Sequence, residues 1–268
     1  MTPPSNLRIG SVPYLNAVPL TWGLEQSVRF APPSVLAEEL KQGQLDAALV
    51  SITEVLLQEG SVVLDQVGIV SHGPVYSVVL AHRKPLDQLR VIHVDTASCT
   101  SVNLLRVLMA ERGWAPELRP LETYRQVPDC DAVLLIGDPA IEFRSSAGAY
   151  EFWDLGDAWH QQVRLPFVYA AWVIRRPART PALMRHLLQA RDAGLQALPH
   201  IVDSVSRFDK QFRQKYLGGH IQYSVGIAER AGVQQFGELM AKHLKCRVFP
   251  IEWCRLESGS PPARFSTI

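Results

Sequence analysis

The chain has 268 residues, of which 47% are hydrophobic and 20% charged, a balance typical of a globular protein with one large or two small domains. Its 27 lysines and arginines nearly cancel its 26 aspartates and glutamates, which excludes the strongly basic surface of a dedicated nucleic-acid-binding protein. An anionic ligand must therefore be bound by a few aimed donors, and not by the field of the whole protein.

Cysteine spacing and hydropathy predict a reduced, soluble protein. The four cysteines form no C-x-x-C pair and no cluster with zinc-ligand spacing, so we expect no metal site. The N-terminal residues lack the basic and apolar regions of a signal peptide, and no stretch approaches the ~20 apolar residues that span a bilayer. We therefore expect a cytoplasmic protein without a membrane or nucleic-acid partner, whose oligomeric state stays open.

The first part of the chain alternates strand and helix patterns. A strand over residues 7–12 leads into a loop, because Pro13 and Pro19 cannot continue a central strand. Ser34 is a plausible N-cap for a helix over residues 35–41, and residues 45–51 predict a buried strand. The capping-box spacing of Ser51 and Glu54 then predicts another helix.

A second unit of the same kind follows. Residues 90–94 predict a strand, residues 95–101 a polar turn, and the apolar spacing that follows predicts a helix up to Gly113. A buried strand over residues 131–136 is closed by the turn sequence Gly-Asp-Pro. Strands that alternate with helices and are apolar throughout indicate parallel α/β sheets.

Two long β runs, over residues 74–85 and 165–177, suggest two strands that cross between two lobes. We expect the chain to leave the first lobe near Arg83 and to re-enter it near Arg175. The first lobe is then residues 1–83 plus 175–268, and the second is residues 84–174. Beyond the second crossing, three helices are predicted, the first capped by Thr180, followed by an irregular tail from Ser258.

The candidate ligand site consists of small polar residues after the predicted strands. The sequence contains none of the phosphate-loop, dinucleotide, zinc-protease or nucleophile-elbow motifs. Open α/β sheets bind ligands at the carboxyl ends of their strands. The residues predicted at those ends are Ser11 to Asn16, Ser51, Thr96 to Ser101, Gly137 and Asp138.

The hydroxyl cluster of Thr96, Ser98, Thr100 and Ser101 lies at a predicted helix start. Hydroxyls and free N–H groups there form an anion site, although one hydroxyl is enough to cap the helix and the others would then be solvated. Cys99 lies at the same helix start, either as a lining residue or as a nucleophile, and no histidine at motif distance favours the second.

Other polar and aromatic residues leave two interpretations open. Asn16 is either a functional residue or a turn residue bonded to local backbone, and Asp138 either binds ligand hydroxyls or ends a strand. The histidines show no metal or triad spacing, and Tyr169 and Trp172 are expected to pack in the core.

The segment Ser-Val-Pro-Tyr-Leu-Asn-Ala-Val-Pro-Leu, over residues 11–20, resembles the chorismate dehydratase family of the futalosine route to menaquinone, relatives of the solute-binding proteins. Matching pieces recur in order over most of the chain, at residues 45–51, 73–78, 136–138, 155–156 and 165–172. Two positions depart from the pattern: Val18, where an arginine is often expected, and Arg164, where a glycine is expected.

The resemblance implies an α/β, type II periplasmic-binding-protein-like fold, with two α/β lobes joined by two crossing strands. It implies a lyase that dehydrates chorismate, a small dianion, to 3-[(1-carboxyvinyl)oxy]benzoate without a cofactor, with Asn16 as the catalytic residue. The substrate-binding residues would be Ser11, Ser51, Ser77, Thr96, Ser98, Thr100, Ser101, Gly137, Asp138 and Phe167. No acidic residue or histidine in the first motif is an obvious base, so we hypothesise that the enolpyruvyl carboxylate of the substrate takes the proton.

Three other functions share this fold. A non-catalytic carboxylate- or solute-binding protein would have the same lobes, although the apparent lack of a signal peptide argues against it. The sister dihydroxynaphthoate synthase of the same pathway differs in its first loop. A ligand-sensing module is the third, but no DNA-binding segment is evident.

Overall fold

The computed structural model describes residues 7–146 and 148–256. The irregular tail expected from Ser258 and the N-terminal residues 1–6 lie outside the described residues. The strands are β1 (Ile9–Ser11), β2 (Val28–Phe30), β3 (Ala47–Ser51), β4 (Val62–Ser71), β5 (Val78–His82), β6 (Val91–Val94), β7 (Glu117–Pro120), β8 (Ala132–Ile136), β9 (Glu151–Asp154), β10 (Phe167–Ile174) and β11 (Glu252–Cys254).

The α-helices are α1 (Pro33–Lys41), α2 (Ile52–Leu57), α3 (Cys99–Glu111), α4 (Gly137–Ser146), α5 (Leu155–Val163), α6 (Pro181–Gln196), α7 (Leu198–Ser204), α8 (Lys210–Lys215) and α9 (Ile227–Leu244). Short 3₁₀ helices span Leu15–Leu20, Leu86–Gln88, Tyr124–Asp129 and Arg176–Ala178, and a π-helical turn spans Tyr216–His220. Within the described ranges, no helix is long and apolar enough to cross a membrane.

The strands form two sheets, one in each lobe. The first has the order β11–β4–β10–β3–β1–β2, and the second has the order β7–β6–β8–β5–β9. This arrangement confirms the α/β class with two lobes. The sheets are mixed, however, where parallel sheets were expected: β10 runs antiparallel to β3 and β4, and β5 runs antiparallel to β8 and β9.

The antiparallel strands have a physical origin in the connections between the lobes. The other central strands end at the cleft, whereas β5 and β10 begin there, because the chain has just come from the opposite lobe. Phe167 at the start of β10 accordingly pairs with Ser71 at the end of β4, and Val78 at the start of β5 pairs with Ile136 at the end of β8.

The chain passes between the lobes earlier than the expected positions near Arg83 and Arg175. All of β5 lies in the second sheet and all of β10 in the first. The first connection is therefore residues 72–77, and the second lies between β9 and β10. The paired part of each long β run is buried within one lobe, and only the residues that precede it, 74–77 and 165–166, belong to the connections.

Several local predictions also change. The segment after β1 is not a loop but the 3₁₀ helix Leu15–Leu20, which contains Pro19. The second of the three helices expected beyond the second crossing, over residues 205–216, begins only at Lys210, where the Asp209 side chain accepts a hydrogen bond from the N–H of Phe212. The helix after Thr180 is confirmed, including its cap from Thr180 to the N–H of Leu183.

Candidate functional site

A cavity of about 70 Å³ lies between the two sheets, where the first connection and the carboxyl ends of β3 and β8 meet. It is lined by six of the residues predicted from the sequence: Asn16, Ser51, Ser77, Ser98, Ser101 and Gly137. Tyr14 and Tyr169 add two phenols, and the remaining walls are apolar. The predicted hydroxyls therefore come together from separate parts of the chain at the cleft.

Asn16 lies near the start of the 3₁₀ helix Leu15–Leu20. The N–H of Leu15 donates a hydrogen bond of 3.1 Å to Oδ1 of Asp138, which holds the start of this helix against the other lobe. Its end is held by α6, where Gly194 lies so close that an added Cβ would be 1.9 Å from the Pro19 carbonyl oxygen. Oδ1 of Asn16 is buried and has no hydrogen-bond partner among the described residues.

Ser51 ends β3 and precedes α2, but it does not form the predicted capping box. The N–H of Thr53, which a cap would use, donates instead to Oγ1 of Thr100 in the other lobe at 2.9 Å. The Ser51 hydroxyl is therefore left buried without a partner in the described chain. Thr100, predicted to bind substrate, is used for this contact and does not line the cavity.

The start of α3 presents two hydroxyls to the cavity. Ser98 is the N-cap, and its Oγ accepts from the N–H of Ser101 at 3.3 Å and lies 3.2 Å from the Ser101 Oγ. Thr96 is exposed and lies outside the cavity. The predicted hydroxyl cluster therefore has three roles: Ser98 and Ser101 line the cavity, Thr100 bonds to the other lobe, and Thr96 is solvated. The positive end of the helix dipole favours an anion at Ser98 and Ser101.

Cys99 at the same helix start does not line the cavity. Its Sγ accepts a hydrogen bond from Nδ2 of Asn103 at 3.4 Å. Burial raises the pKa of the Cys99 thiol, and the nearby Glu54 carboxylate raises it further. A raised pKa favours the unreactive thiol over the thiolate, which opposes the nucleophile interpretation.

Ser77 and Gly137 form the cavity wall nearest the second sheet. The Gly137 N–H donates to the Ser77 carbonyl oxygen at 2.7 Å, and Gly137 adopts φ +61° beside the ring of Tyr14. A side chain at this position would be strained and would approach that ring. The Ser77 Oγ accepts a hydrogen bond of 2.7 Å from the Tyr216 hydroxyl.

Neither tyrosine of the cavity was named as a substrate-binding residue, although Tyr14 lies in the segment Ser11 to Asn16 that was predicted at a strand end. The hydroxyls of Tyr169 and Ser71 lie 3.1 Å apart. Burial raises the pKa of Tyr14 and raises that of Tyr169 well above its usual range, so both phenols stay protonated at neutral pH. Tyr14 lies within the first sequence motif, directly before Leu15 and Asn16. The sequence could not show whether a tyrosine there lines a ligand cavity or packs in the core.

Three further residues predicted to bind substrate are not among the cavity-lining residues. Phe167 is a core residue, packed edge-on against Trp159, Tyr169 and Phe236. Ser11 is fully buried in β1, with an unpartnered hydroxyl. Asp138 accepts from the Leu15 N–H through Oδ1 and from Nη1 of Arg207 through Oδ2 at 2.6 Å, so it joins elements of both lobes.

The wall of this cavity is uncharged among the described residues. Among them, no Asp, Glu, His, Lys, Arg or Cys side chain lines the cavity. No group of three or more His, Cys, Asp or Glu side chains in residues 7–146 and 148–256 is arranged to hold a metal ion. The chemistry available at this wall is therefore hydrogen bonding by hydroxyl and amide groups.

A larger groove of about 940 Å³ lies on the outer surface between α9 and residues 248–255. None of the unpartnered buried polar atoms belongs to its lining residues. The small cavity between the sheets, which contains two of them, is the stronger candidate for ligand chemistry.

Comparisons with known proteins agree with this fold. A family of sequences described as menaquinone biosynthesis matches residues 7–242. The chorismate dehydratase of Thermus thermophilus is 31% identical over 256 residues, covering 87% of this chain and 94% of the relative.

Two solved structures are similar in fold. A protein from Archaeoglobus fulgidus has a TM-score of 0.69 at 18% identity, covering 89% of this chain and 98% of that one. The alkanesulfonate-binding protein of Xanthomonas axonopodis has a TM-score of 0.67 at 16% identity, covering 94% and 100%. These similarities confirm the periplasmic-binding-protein-like architecture.

Proposed function

The chain belongs to the menaquinone-biosynthesis family, and from that premise we propose that it is a chorismate dehydratase, a lyase that converts chorismate to 3-[(1-carboxyvinyl)oxy]benzoate and water. The proposal keeps the cytoplasmic location expected from the sequence. The plain solute-binding protein and the sister dihydroxynaphthoate synthase are not favoured, since the curated relative is a dehydratase.

One observation supports this function most directly. Oδ1 of Asn16 and Oγ of Ser51 both face a buried cavity and have no partner among the described residues. A buried polar group left unpaired costs about 1–3 kcal/mol. The Asn16 oxygen can only accept a hydrogen bond, whereas the Ser51 hydroxyl can also donate one. A ligand that carries both a hydroxyl and a carboxylate, as chorismate does, would pair both atoms and remove this cost.

The substrate's two carboxylates require hydrogen-bond donors on different walls. Ser98 and Ser101, at the start of α3, offer hydroxyls and the helix dipole to one carboxylate. The hydroxyls of Ser51 and Ser77 and the protonated phenols of Tyr14 and Tyr169 are donors for the other. These neutral donors can bind a dianion through hydrogen bonds, although no positively charged side chain lines the cavity among the described residues.

The identity of the base follows from the groups at the wall. No carboxylate, imidazole or amine lines the cavity among the described residues, and both lining tyrosines are protonated. The strongest base available is therefore on the substrate, whose enolpyruvyl carboxylate takes the proton from C3. The electron pair delocalises through the ring diene toward the ring carboxylate.

The C4–O bond then breaks, the departing hydroxide takes the proton from the enolpyruvyl carboxyl group and leaves as water, and the ring becomes aromatic. Asn16 is placed to orient the enolpyruvyl carboxylate and the departing hydroxyl through its amide. Donors at the ring carboxylate become more effective as negative charge moves there, which stabilises the transition state more than the ground state.

The test is to incubate the purified protein with chorismate alone and to follow 3-[(1-carboxyvinyl)oxy]benzoate by chromatography. We expect product from the wild type and from Thr96→Ala, an exposed hydroxyl near the site, and a turnover at least about 100-fold lower from Asn16→Ala. Calorimetry checks that Asn16→Ala still binds chorismate. Binding of chorismate without product in the wild type would contradict the proposal and indicate a carrier or sensor.

A further inference from the structure

Tyr216 is a fully buried tyrosine outside the cavity wall, and its ring is held in one orientation. It begins the π-helical turn Tyr216–His220 directly after α8. The ring of Phe212, one turn earlier, stacks on it with centroids 5.4 Å apart and planes inclined by 15°. Short π-helical turns of this kind often occur at functional sites, because they redirect one side chain out of the regular helical order.

The hydrogen bond from the Tyr216 hydroxyl limits which hydrogen bonds the Ser77 hydroxyl can form. Tyr216 donates to the Ser77 Oγ at 2.7 Å. A serine hydroxyl has one hydrogen and two lone pairs, and Tyr216 occupies a lone pair. No other hydrogen bond of the Ser77 hydroxyl is formed within the described residues, so its hydrogen remains available to the cavity that Ser77 lines.

The Tyr216 hydroxyl keeps the hydrogen that it donates to Ser77. Burial raises the pKa of Tyr216, so its hydroxyl stays protonated. The contact with Ser77, and then the side chain of Asn16, oppose this rise in pKa. The Gly137 N–H donates separately to the Ser77 carbonyl oxygen and holds the backbone there. The Ser77 hydroxyl can therefore be reoriented only by rotation of its side chain.

We propose that Tyr216 is a positioning residue, which holds the Ser77 hydroxyl so that its hydrogen points into the cavity. This inference rests on the proposed function, because the donor that Tyr216 directs is one that stabilises the charge developing on the substrate. Tyr216 itself does not touch substrate.

The experiment is a double-variant cycle of Tyr216→Phe, Ser77→Ala and the combined variant, with kcat and KM for chorismate measured for each. Tyr223→Phe is the matched control, since Tyr223 is also buried but its hydroxyl has no partner among the described residues. Thermal unfolding of every variant reports on the fold.

We expect Tyr216→Phe to lower kcat about 10-fold and to leave KM within about twofold, as for loss of a hydrogen bond that matters in the transition state. The combined variant should lose no more than Ser77→Ala alone, because Tyr216 acts through Ser77. Tyr223→Phe should keep the wild-type kcat. If Tyr216→Phe does not fold, Phe212→Leu, which loosens the ring but removes no hydroxyl, should lower kcat at constant KM.

Multiplicative losses in the combined variant would overturn the inference, since they would show that Tyr216 and Ser77 act independently. An equal loss in Tyr223→Phe, or an unchanged kcat in Phe212→Leu, would also overturn it. An inactive wild type would overturn the proposed function, and this inference with it; an active wild type with multiplicative losses overturns the inference alone.

Discussion

Oδ1 of Asp138, at the start of α4 in the second lobe, accepts a hydrogen bond of 3.1 Å from the N–H of Leu15 in the first lobe. Leu15 is the neighbour of Asn16, so this contact sets where the catalytic candidate stands relative to the opposite wall. The other carboxylate oxygen pairs with Arg207, whose second nitrogen pairs with Glu142. Asp138 therefore links the position of Asn16 to the contact between the two lobes.

Asp138→Ala should impair turnover through Asn16. The substitution leaves the Leu15 N–H without its acceptor, a loss of about 1–3 kcal/mol for a buried group. We expect kcat/KM for chorismate to fall by at least about 10-fold, whereas Asp138→Asn, which keeps an oxygen for Leu15, should fall less. Steady-state kinetics of the two variants decide this, and equal losses would mean that the charge pair with Arg207 dominates.

Substitutions of Ser51 and Thr100 should have different effects: the first should lower turnover of chorismate, and the second should lower the stability of the fold. The buried Ser51 hydroxyl has no partner in the described chain, so Ser51→Ala should raise the free energy of unfolding by up to about 1–3 kcal/mol while lowering kcat/KM by about 10-fold or more.

Thr100→Val should instead cost about 1–3 kcal/mol of stability, because the Thr53 N–H loses its acceptor. Urea unfolding and chorismate kinetics on both variants are the measurements. A destabilised Ser51→Ala protein would show that the hydroxyl has a structural role after all.

The sequence was informative wherever one local pattern determines one structure. The alternation of buried strands and helices predicted both lobes, and Thr180 was found at its predicted cap. The hydroxyl cluster was expected to supply one cap without a choice of residue, and Ser98 is the cap that the structure shows. Polar residues after β1, β3 and β8 predicted the region of the cavity, because strand ends of one lobe meet at one edge.

The sequence could not predict how the lobes share their hydroxyls. The spacing of Ser51 and Glu54 fits a capping box, yet Thr100 from the other lobe takes the N–H of Thr53. Asp138 looked equally suited to a ligand or to a turn, and its partners Leu15 and Arg207 are distant in sequence. The role of Tyr216 could not be predicted, because it depends on a contact with Ser77 across 139 positions.

Asp46 should make the protein more stable above about pH 4 than below it. Hydrogen bonds from Arg8, and then from Arg175, lower the pKa of Asp46 from 3.8 to about 2. Because the folded value lies below the unfolded one, the contribution is complete above the unfolded pKa and is lost as the pH falls from about 4 toward 2.

Asp46→Asn should therefore lower the free energy of unfolding by about 1–2 kcal/mol at pH 7, after allowance for the half-exposed Arg8 side chain, and by less as the pH falls below 4. Denaturant titrations of both proteins between pH 7 and pH 3 measure this difference. Asp46 precedes β3 at the end opposite the cavity, so kcat at pH 7 should not change; a pH-independent difference would contradict the assigned cause.

Gly194→Ala should disturb the site through the helix that carries Asn16. The added Cβ would stand 1.9 Å from the Pro19 carbonyl oxygen, so α6 or the 3₁₀ helix Leu15–Leu20 must move. Forced rearrangements of this kind cost about 1–3 kcal/mol.

The matched control is Gly232→Ala in α9, whose Cβ would stand 2.1 Å from the Pro166 carbonyl oxygen, a similar clash next to β10. Both variants should unfold at lower temperature, but at a temperature where both are folded, only Gly194→Ala should lose kcat, because only that clash displaces Asn16. Equal kcat losses in the two variants would show that activity follows global stability rather than the position of this helix.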